Sequence, residues 1–460
     1  VTRTRAWLIG IILLSVVLRV GVAFYLGDTV PPAKDEQSYS LLAGRLATGY
    51  GYSFERPWYP FGTPGGSPTS HWSFLYTAFV AAVYAVAGPH PLAARLVQAV
   101  AVGVLMPWVT WRLAKRLTVE DRRLKIVPLI AAGLSAVYAY FVLYGAMVQT
   151  EAFFICALLW SLERGLAVAS FDEAPPGRLA PSSRSAQDAL WTGVSFGVSL
   201  GVATLLRQSI LPWVAVMFLY LAIRRLKIED WKIGRSWRGL APLVVAGVVM
   251  VGCIVPFTVR NYLVYDNFLL LNSNAGYAMY AAQHPMHGTS FREYEAAPLP
   301  EELAGQGLNE AEWDDALMER GIGFVLAEPG RYLMLSLSRV RDYFEFWPTA
   351  DSSTLFNVGR VASIGVMLPF MVYGMWMAIT EGRKRAACGG EEEGRSGAIF
   401  HFPSSFFLLL FMAFYSLLHI FTWAMSRYRL PVDAVALVFA ALAIAEIGWK
   451  VQGSRLKVEG

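Results

Sequence analysis

The sequence predicts an all-α, multi-pass membrane protein, and three observations carry that prediction. Hydrophobic residues make up 55% of the 460 residues and charged residues only 16%, against about 25% charge in an average soluble domain. The apolar residues gather into about ten runs, most of them long enough for a helix to cross a bilayer. The basic residues collect in the short loops between those runs. The formal charge of +5 therefore reports membrane topology and is no sign of nucleic-acid binding.

The chain opens on Thr2-Arg3-Thr4-Arg5 and the apolar run 6–26. That run is too long for a signal peptide and lacks a small-residue cleavage site, so it predicts a retained first span. Further spans are predicted at 92–112, 126–147, 151–169, 189–206, 210–225, 239–258, 357–380, 401–421 and 428–449. The stretch 72–88 decides the topology. If it crosses, the basic loop from Arg112 to Lys125 falls outside, against the cytoplasmic bias of Lys and Arg. If it lies in the interface, that loop, the loop from Arg224 to Arg238 and Arg383-Lys384-Arg385 all fall inside. The second arrangement predicts ten spans with both termini cytoplasmic in a plasma (inner) membrane. It makes 72–88 an interfacial helix rich in Trp, Phe and Tyr, beside a shorter amphipathic one over 37–46. The loops 170–188 and 381–398 read as linkers. No internal or inverted repeat of the kind seen in many transporters is present. Cys156 and Cys253 lie in apolar runs and Cys388 in a charged loop, which excludes a disulfide framework.

Three features then share the outer face: Asp35-Glu36, the turn Gln149-Thr150-Glu151, and the long segment from Arg260 to Ser353. The amphipathic stretch Asn309 to Ala327 predicts that the long segment is a partly helical cap. The expected division is 1–258 as a catalytic membrane module with first outer loop 27–91, 259–356 as the cap, and 357–460 as C-terminal helices and tail. Adjacent carboxylates where the chain turns into a surface helix suit acid–base chemistry at the bilayer face. The same pair suits a helix start, with Asp as cap and Glu beside the positive end of the dipole. Glu151 is either solvated at the interface or turned inward to a site. Asp35 and Glu151 together offer oxygen ligands to a divalent metal, or divide the work of base and acceptor clamp.

Cations share that face. Arg207 interrupts a short turn, Arg260 ends a span, and Arg427 and Arg429 begin the last one. Each alone suits snorkelling to headgroups. As a set they offer paired donors to phosphate oxygens and point to a phosphate-bearing lipid. His71, just before the interfacial helix, suits a metal or substrate contact, and no second His lies at ligand spacing. His284 and His287 suit either a metal or a solvated loop. Arg19, inside the first span, faces the bundle or snorkels and is assigned no role.

Four stretches, taken in order, carry a family resemblance. They are Asp35-Glu36-Gln37-Ser38-Tyr39 with Gly49-Tyr50-Gly51; Pro68-Thr69-Ser70-His71-Trp72 with Ala94-Arg95-Leu96-Val97-Gln98; Val259-Arg260-Asn261-Tyr262 with Asn274-Ala275-Gly276-Tyr277; and Arg427-Tyr428-Arg429-Leu430-Pro431. The set resembles the GT-C integral-membrane glycosyltransferases that use polyprenyl-phosphate-linked sugars, nearest the protein O-mannosyltransferases and the aminoarabinose transferases of lipid A. The resemblance implies a GT-C-like bundle of about ten transmembrane helices with interfacial helices in the first outer loop. It implies Asp35 as catalytic base, Glu36 as its acidic neighbour and Glu151 as the second-loop acid. Arg427, taken with Tyr428, falls where the lipid phosphate is held, and Arg207 and Arg260 join it as phosphate candidates. His71, Tyr39, Asn261 and Tyr277 lie in the matching stretches and are the candidates for acceptor or substrate contact. The chain departs from the family at Trp72-Ser73, where a Pro-Pro pair is common, and at Thr150-Glu151, where an Asp is expected.

The expected function is inverting transfer of a sugar from a polyprenyl-phosphate donor to an acceptor hydroxyl at the extracytoplasmic face. The acceptor is a protein, a lipid or a glycan. The alternative, a transporter or glycolipid flippase without bond chemistry, predicts charges near mid-bilayer and paired broken helices. A non-catalytic scaffold of a polymer-synthesis complex is the third reading.

Overall fold

The computed structural model describes residues 2–31, 35–117, 125–170, 183–228, 233–292, 296–350, 352–387 and 402–458. Cys388 and most of the two linkers 170–188 and 381–398 lie outside the described residues, as do Pro32, Ala33 and Lys34. In chain order the helices are α1 (Thr2–Leu26), α2 (Asp35–Ala47), α3 (Phe74–Ala87), α4 (Pro91–Leu117), α5 (Val127–Val137), α6 (Ala139–Tyr144), α7 (Glu151–Ser170), α8 (Ser183–Leu206) and α9 (Leu211–Ile228). They continue with α10 (Ile233–Tyr265), α11 (Ala275–Gln283), α12 (Glu301–Ala304), α13 (Glu310–Ala327), α14 (Pro329–Tyr343), α15 (Thr354–Arg360), α16 (Val366–Ala387), α17 (Phe402–Phe421) and α18 (Leu430–Val458). Among the described residues, nine helices are long and apolar enough to cross a membrane. This is an integral membrane protein, as its composition predicts.

One expected span has a different form. The stretch 126–147 is two short helices, α5 and α6, parted at Tyr138, whose backbone leaves helical geometry (φ −59°, ψ 113°). A helix broken inside a bilayer must find partners for the backbone groups it frees. Here Arg19 supplies them. Its buried guanidinium donates to the carbonyls of Ser135 (3.2 Å) and Ala136 (3.1 Å) in the last turn of α5. Across the break, Ser363 Oγ accepts from Tyr140 N at 2.9 Å. Arg19 faces the bundle, and its task is to hold the break.

The other helices pack through recognisable devices. On α8, Gly193, Gly197 and Gly201 recur at every fourth position, and a Cβ at each would meet α10 at 2.6, 2.5 and 2.6 Å. Small residues at that spacing let two membrane helices approach backbone to backbone. At the end of the bundle away from the cap, Glu163 on α7 holds Arg112 (3.1 Å), Arg116 (3.0 Å) and Arg164 (2.5 Å), which pins α4 to α7.

The interfacial reading of 72–88 fits α3. Its 14 residues reach about 21 Å, short of the roughly 30 Å of a hydrocarbon core. It lies against α2, through Ser40 Oγ and Tyr84 OH at 2.8 Å, and against the first turns of α4, through Tyr76 OH and Gln98 Oε1 at 2.7 Å. The cap shares a small core with the first outer loop, in which Phe61 meets Tyr277, Tyr280, Trp313 and Leu317. α10 runs on to Tyr265. α13 starts where the amphipathic stretch predicts: Asn309 Oδ1 accepts from the amides of Ala311 (3.0 Å) and Glu312 (3.1 Å), and Glu312 reaches back to Asn309 N (2.8 Å). Asp314 on the same helix accepts from Gly276 N at 2.7 Å, and burial pushes its carboxyl up to about 7.

Candidate active site

Four segments that are distant in sequence meet at the cap end of the bundle. Asp35 opens α2, Glu151 opens α7, Arg207 sits in an extended residue between α8 and the turn 208–210, and Arg427 lies in the turn Ser426–Arg429 before α18. Arg427 Nη1 donates to Asp35 Oδ2 at 2.5 Å and lies 3.7 Å from Glu151 Oε1. Arg207 Nη2 donates to that same Glu151 oxygen at 2.5 Å, and its Nε donates to Thr150 Oγ1 at 3.2 Å. The guanidinium groups of both arginines lie over the Tyr428 ring, 5.1 Å (Arg207) and 5.4 Å (Arg427) from its centre. Two carboxylates, two guanidiniums and one aromatic ring form a single cluster.

The cluster opens on one side. Glu151 is buried, whereas the Asp35 and Arg427 side chains keep 31% and 21% of their surface. Burial works to raise the Asp35 pKa, but Arg427, Arg207 and His71 outweigh it and hold the carboxyl below its ordinary value. Asp35 is therefore ionised at neutral pH. Among the described residues, no group accepts a hydrogen bond from the buried Arg427 Nε. Asp35 and Glu151 each pair with a guanidinium, and among the described residues no group of three or more His, Cys, Asp or Glu side chains comes together.

Glu36 turns the other way. Its Oε2 accepts from Arg95 Nη2 at 2.8 Å and from Val148 N at 2.9 Å, three residues before Glu151. Arg95 also donates to Thr29 O at 2.8 Å. Gln98, one turn on, donates to the carbonyl of Met147 at 2.6 Å. Burial raises the Glu36 pKa in spite of Arg95 and the Val148 amide. Glu36, Arg95 and Gln98 form a clamp that ties the start of α2 to the turn bearing Glu151. Sequence reasoning left Arg95 and Gln98 without a role. The signal was a cation and an amide three residues apart in the first turns of an apolar helix, a spacing that shares one face.

The remaining candidates gather beneath the cap. Arg260 is spent within the fold: its Nη1 donates to Ser70 Oγ (2.7 Å), Thr69 O (3.0 Å) and Asn261 Oδ1 (3.0 Å). The structure does not bring it to Arg207 and Arg427. Asn261 is buried and donates to the carbonyls of Leu269 (3.2 Å) and Leu271 (2.7 Å). Tyr39, on the buried face of α2, stands edge-on to Trp72 (5.4 Å) and Tyr76 (4.9 Å). His71 Nδ1 lies 2.9 Å from Ser273 O, and burial depresses its pKa against the pull of Glu310 and Asp35. Its ring stands edge-on to Tyr277 at 6.2 Å, and Tyr59 stands edge-on to Tyr277 at 5.5 Å. Trp58, next to Tyr59, donates to Ser38 Oγ at 2.9 Å, one turn into α2 from Asp35. His284 and His287 serve the backbone of their own turn: His284 Nδ1 accepts from Met286 N (3.2 Å), and His287 Nε2 lies 2.9 Å from Ala281 O.

No protein-family profile and no curated protein sequence matches this chain. Solved structures do. The archaeal oligosaccharyltransferase AglB from Archaeoglobus fulgidus, in complex with an inhibitory peptide and a dolichol-phosphate, superposes with a TM-score of 0.58 at 15% identity over 98% of this chain and 52% of that one. The apo form of the Archaeoglobus fulgidus oligosaccharyltransferase gives 0.57 at 16% identity over 98% and 51%. The chain has the GT-C fold. It spans about half the length of those oligosaccharyltransferase chains. Apo ArnT from Cupriavidus metallidurans, a shorter chain, aligns over 99% of this chain and 80% of its own with a TM-score of 0.41 at 14% identity.

Proposed function

We propose that this protein is an inverting glycosyltransferase that takes its sugar from a polyprenyl-phosphate donor. The observation that carries the reading is the meeting of Asp35 and Arg427, 392 residues apart in sequence, at the open edge of the cluster. Asp35 is the base. It takes the proton of an acceptor hydroxyl as that oxygen bonds to the anomeric carbon, and the bond from that carbon to the phosphate oxygen breaks with its electrons. Arg427 and Arg207 neutralise the departing phosphate, with Tyr428 keeping both guanidiniums in place. In-line displacement puts the attacking and leaving oxygens on opposite faces of the sugar. On donor binding, phosphate oxygens replace Asp35 on Arg427, and the 2.5 Å contact between the two side chains parts. Glu36 holds α2 in place and takes no part in proton transfer.

The side of the cluster toward Tyr59, His71 and Tyr277 is the acceptor approach, under a cap that excludes water and so limits hydrolysis of the donor. Asn261 and Tyr39 support that wall from behind, and Arg260 belongs to it rather than to the phosphate. The site faces the extracytoplasmic side. This assignment is supported by the basic loops at the opposite end of the bundle. An impermeant thiol reagent applied from outside is expected to label a cysteine placed at Arg56 and to spare one placed at Lys115.

The test of function is chemical. In a strain lacking this protein, mass spectrometry of envelope glycans is expected to show one sugar missing. Wild-type protein restores it and Asp35→Asn does not. Restoration by Asp35→Asn would remove the base from the reading, and an unchanged glycan profile in the deletion strain would remove the reaction.

A further inference from the structure

α14 is built inside out. A surface helix ordinarily buries its apolar stripe and turns its polar residues to water. On α14 the face toward the protein is largely polar: Ser336, Arg339 and Tyr343 are buried there beside one apolar side chain, Leu335. Arg339 donates to the carbonyls of Ala282 and Ile420 and to Gln283 Oε1 (3.1 Å). Ser338 Oγ accepts from Phe291 N at 2.9 Å. On the opposite face Leu333, Leu337, Val340 and Phe344 are exposed by 53, 56, 37 and 42%. Their spacing of four, three and four residues makes one continuous stripe. Arg341 is exposed at its flank.

The course of the helix indicates what faces that stripe. Tyr332 OH donates to Phe421 O at 3.1 Å, Arg339 Nη1 donates to Ile420 O at 3.4 Å, and the Tyr343 ring stacks on His419 at 6.4 Å. From Tyr332 to Tyr343 the helix advances roughly 16 Å, whereas residues 419 to 421 occupy roughly 3 Å of α17. α14 therefore crosses the end of a membrane-spanning helix steeply, at the level where that helix leaves the membrane. The outward side chains of α17 there, Leu417 (51% exposed) and Phe421 (40% exposed), continue the apolar surface. A stripe of this size facing water is costly, and charged residues do not interrupt it.

We propose that α14 lies in the membrane plane with its apolar stripe sunk among phospholipid acyl chains, so that lipid is the structural partner of the cap. Arg341 reaches from the stripe's edge to the headgroups. The seat of α14 bears on the site: Tyr343 O, at its last turn, accepts from Arg429 Nη1 at 2.6 Å, two residues from Arg427. The inference is independent of the proposed reaction.

The test uses the wild-type protein in nanodiscs containing a phospholipid with a diazirine on its acyl chain. After photolysis and peptide mapping, adducts are expected at Leu333, Leu337 and Val340 at a yield comparable to Leu417, which serves as the internal control. Labelling of Leu417 with none on the stripe overturns the proposal. A photoreactive residue at Leu337 that cross-links the protein to a second copy, in place of lipid, overturns it as well. Leu333→Asp with Leu337→Asp adds a second reading: in nanodiscs the double variant is expected to expose the cap to protease near α14 while the spanning helices stay protected. Unchanged protection of the cap would count against it.

Discussion

Asp35 and Glu36 are neighbours in sequence, and each is paired with an arginine, yet they occupy opposite electrostatic worlds. Asp35 meets Arg427 with 31% and 21% of the two side chains exposed, whereas Glu36 meets Arg95 with 3% and 1% exposed. The fold depresses the first carboxyl and raises the second. Solvent access makes the difference useful. An ion pair open to water can exchange one partner for an incoming ligand at modest cost, because water covers the group left behind. A sealed pair cannot, because losing either partner strands a charge in a medium that does not solvate it. The open pair suits chemistry and the closed pair suits architecture, although the residues on the two sides are chemically alike.

The largest expected effect tests the open pair. Asp35→Asn keeps size and capping ability but removes the proposed base, so turnover of purified protein is expected to fall by about 10²–10⁴-fold. Because the pair is partly solvated, the melting temperature in nanodiscs is expected to fall little, by the equivalent of less than about 1 kcal/mol. A protein that unfolds on this change would make Asp35 the helix cap and not the base.

The closed pair should answer in stability. Arg95→Met leaves the Glu36 carboxylate buried without its cation, and a loss of about 3–5 kcal/mol is expected. Denaturation in detergent reads it. The double variant with Glu36→Gln should recover part of that loss, because no charge remains to strand. If Arg95→Met were as stable as the parent, the clamp would not hold α2 at all.

Arg427→Lys sharpens the comparison within the open pair. It keeps the charge and loses the planar two-point contact with phosphate. Donor binding is expected to weaken about tenfold, roughly 1.4 kcal/mol, in a folded protein. Donor affinity equal to the parent's in both Arg427→Lys and Arg427→Ala would leave Arg427 as a headgroup anchor only.

The smallest effect is a pH dependence. The fold lowers the Asp35 pKa from 3.8, so the stability it contributes is complete above that value. It drains away as pH falls through the lower, folded pKa. The difference in melting temperature between wild type and Asp35→Asn is therefore expected to be flat from pH 7 down to about 5 and to vanish only in stronger acid. A difference that vanishes near pH 6 would mean that Arg427 does not hold the carboxylate.

Much of the architecture was legible in advance because its causes are local. Asn309 announces α13 through its own side chain and that of Glu312. The length of 72–88 limits α3 to the interface, and the runs of apolar residues mark the long helices. The break at Tyr138 was not legible, because nothing around it in sequence forbids a continuous helix. Its stability comes from Arg19, more than a hundred residues earlier. Arg260 and Arg207 looked alike in sequence, each at the end of a span. Only packing shows that Arg260 is absorbed by Ser70 and Asn261 while Arg207 reaches Glu151. Arg429, two residues from Arg427, is turned inward to Asp433 at 3.0 Å with both side chains sealed, a direction that sequence spacing alone does not reveal.

By itself the sequence determined a helical membrane protein, the approximate placing of its long helices, the helix within its cap and the acids and arginines available for chemistry. Hydropathy, charge in loops and capping are properties of neighbours along the chain, and they act wherever the chain goes. Which carboxylate faces which arginine, and whether water reaches the pair, was decided by tertiary structure alone. Asp35 and Arg427 stand 392 residues apart, and the geometry between them is set by every helix packed in between.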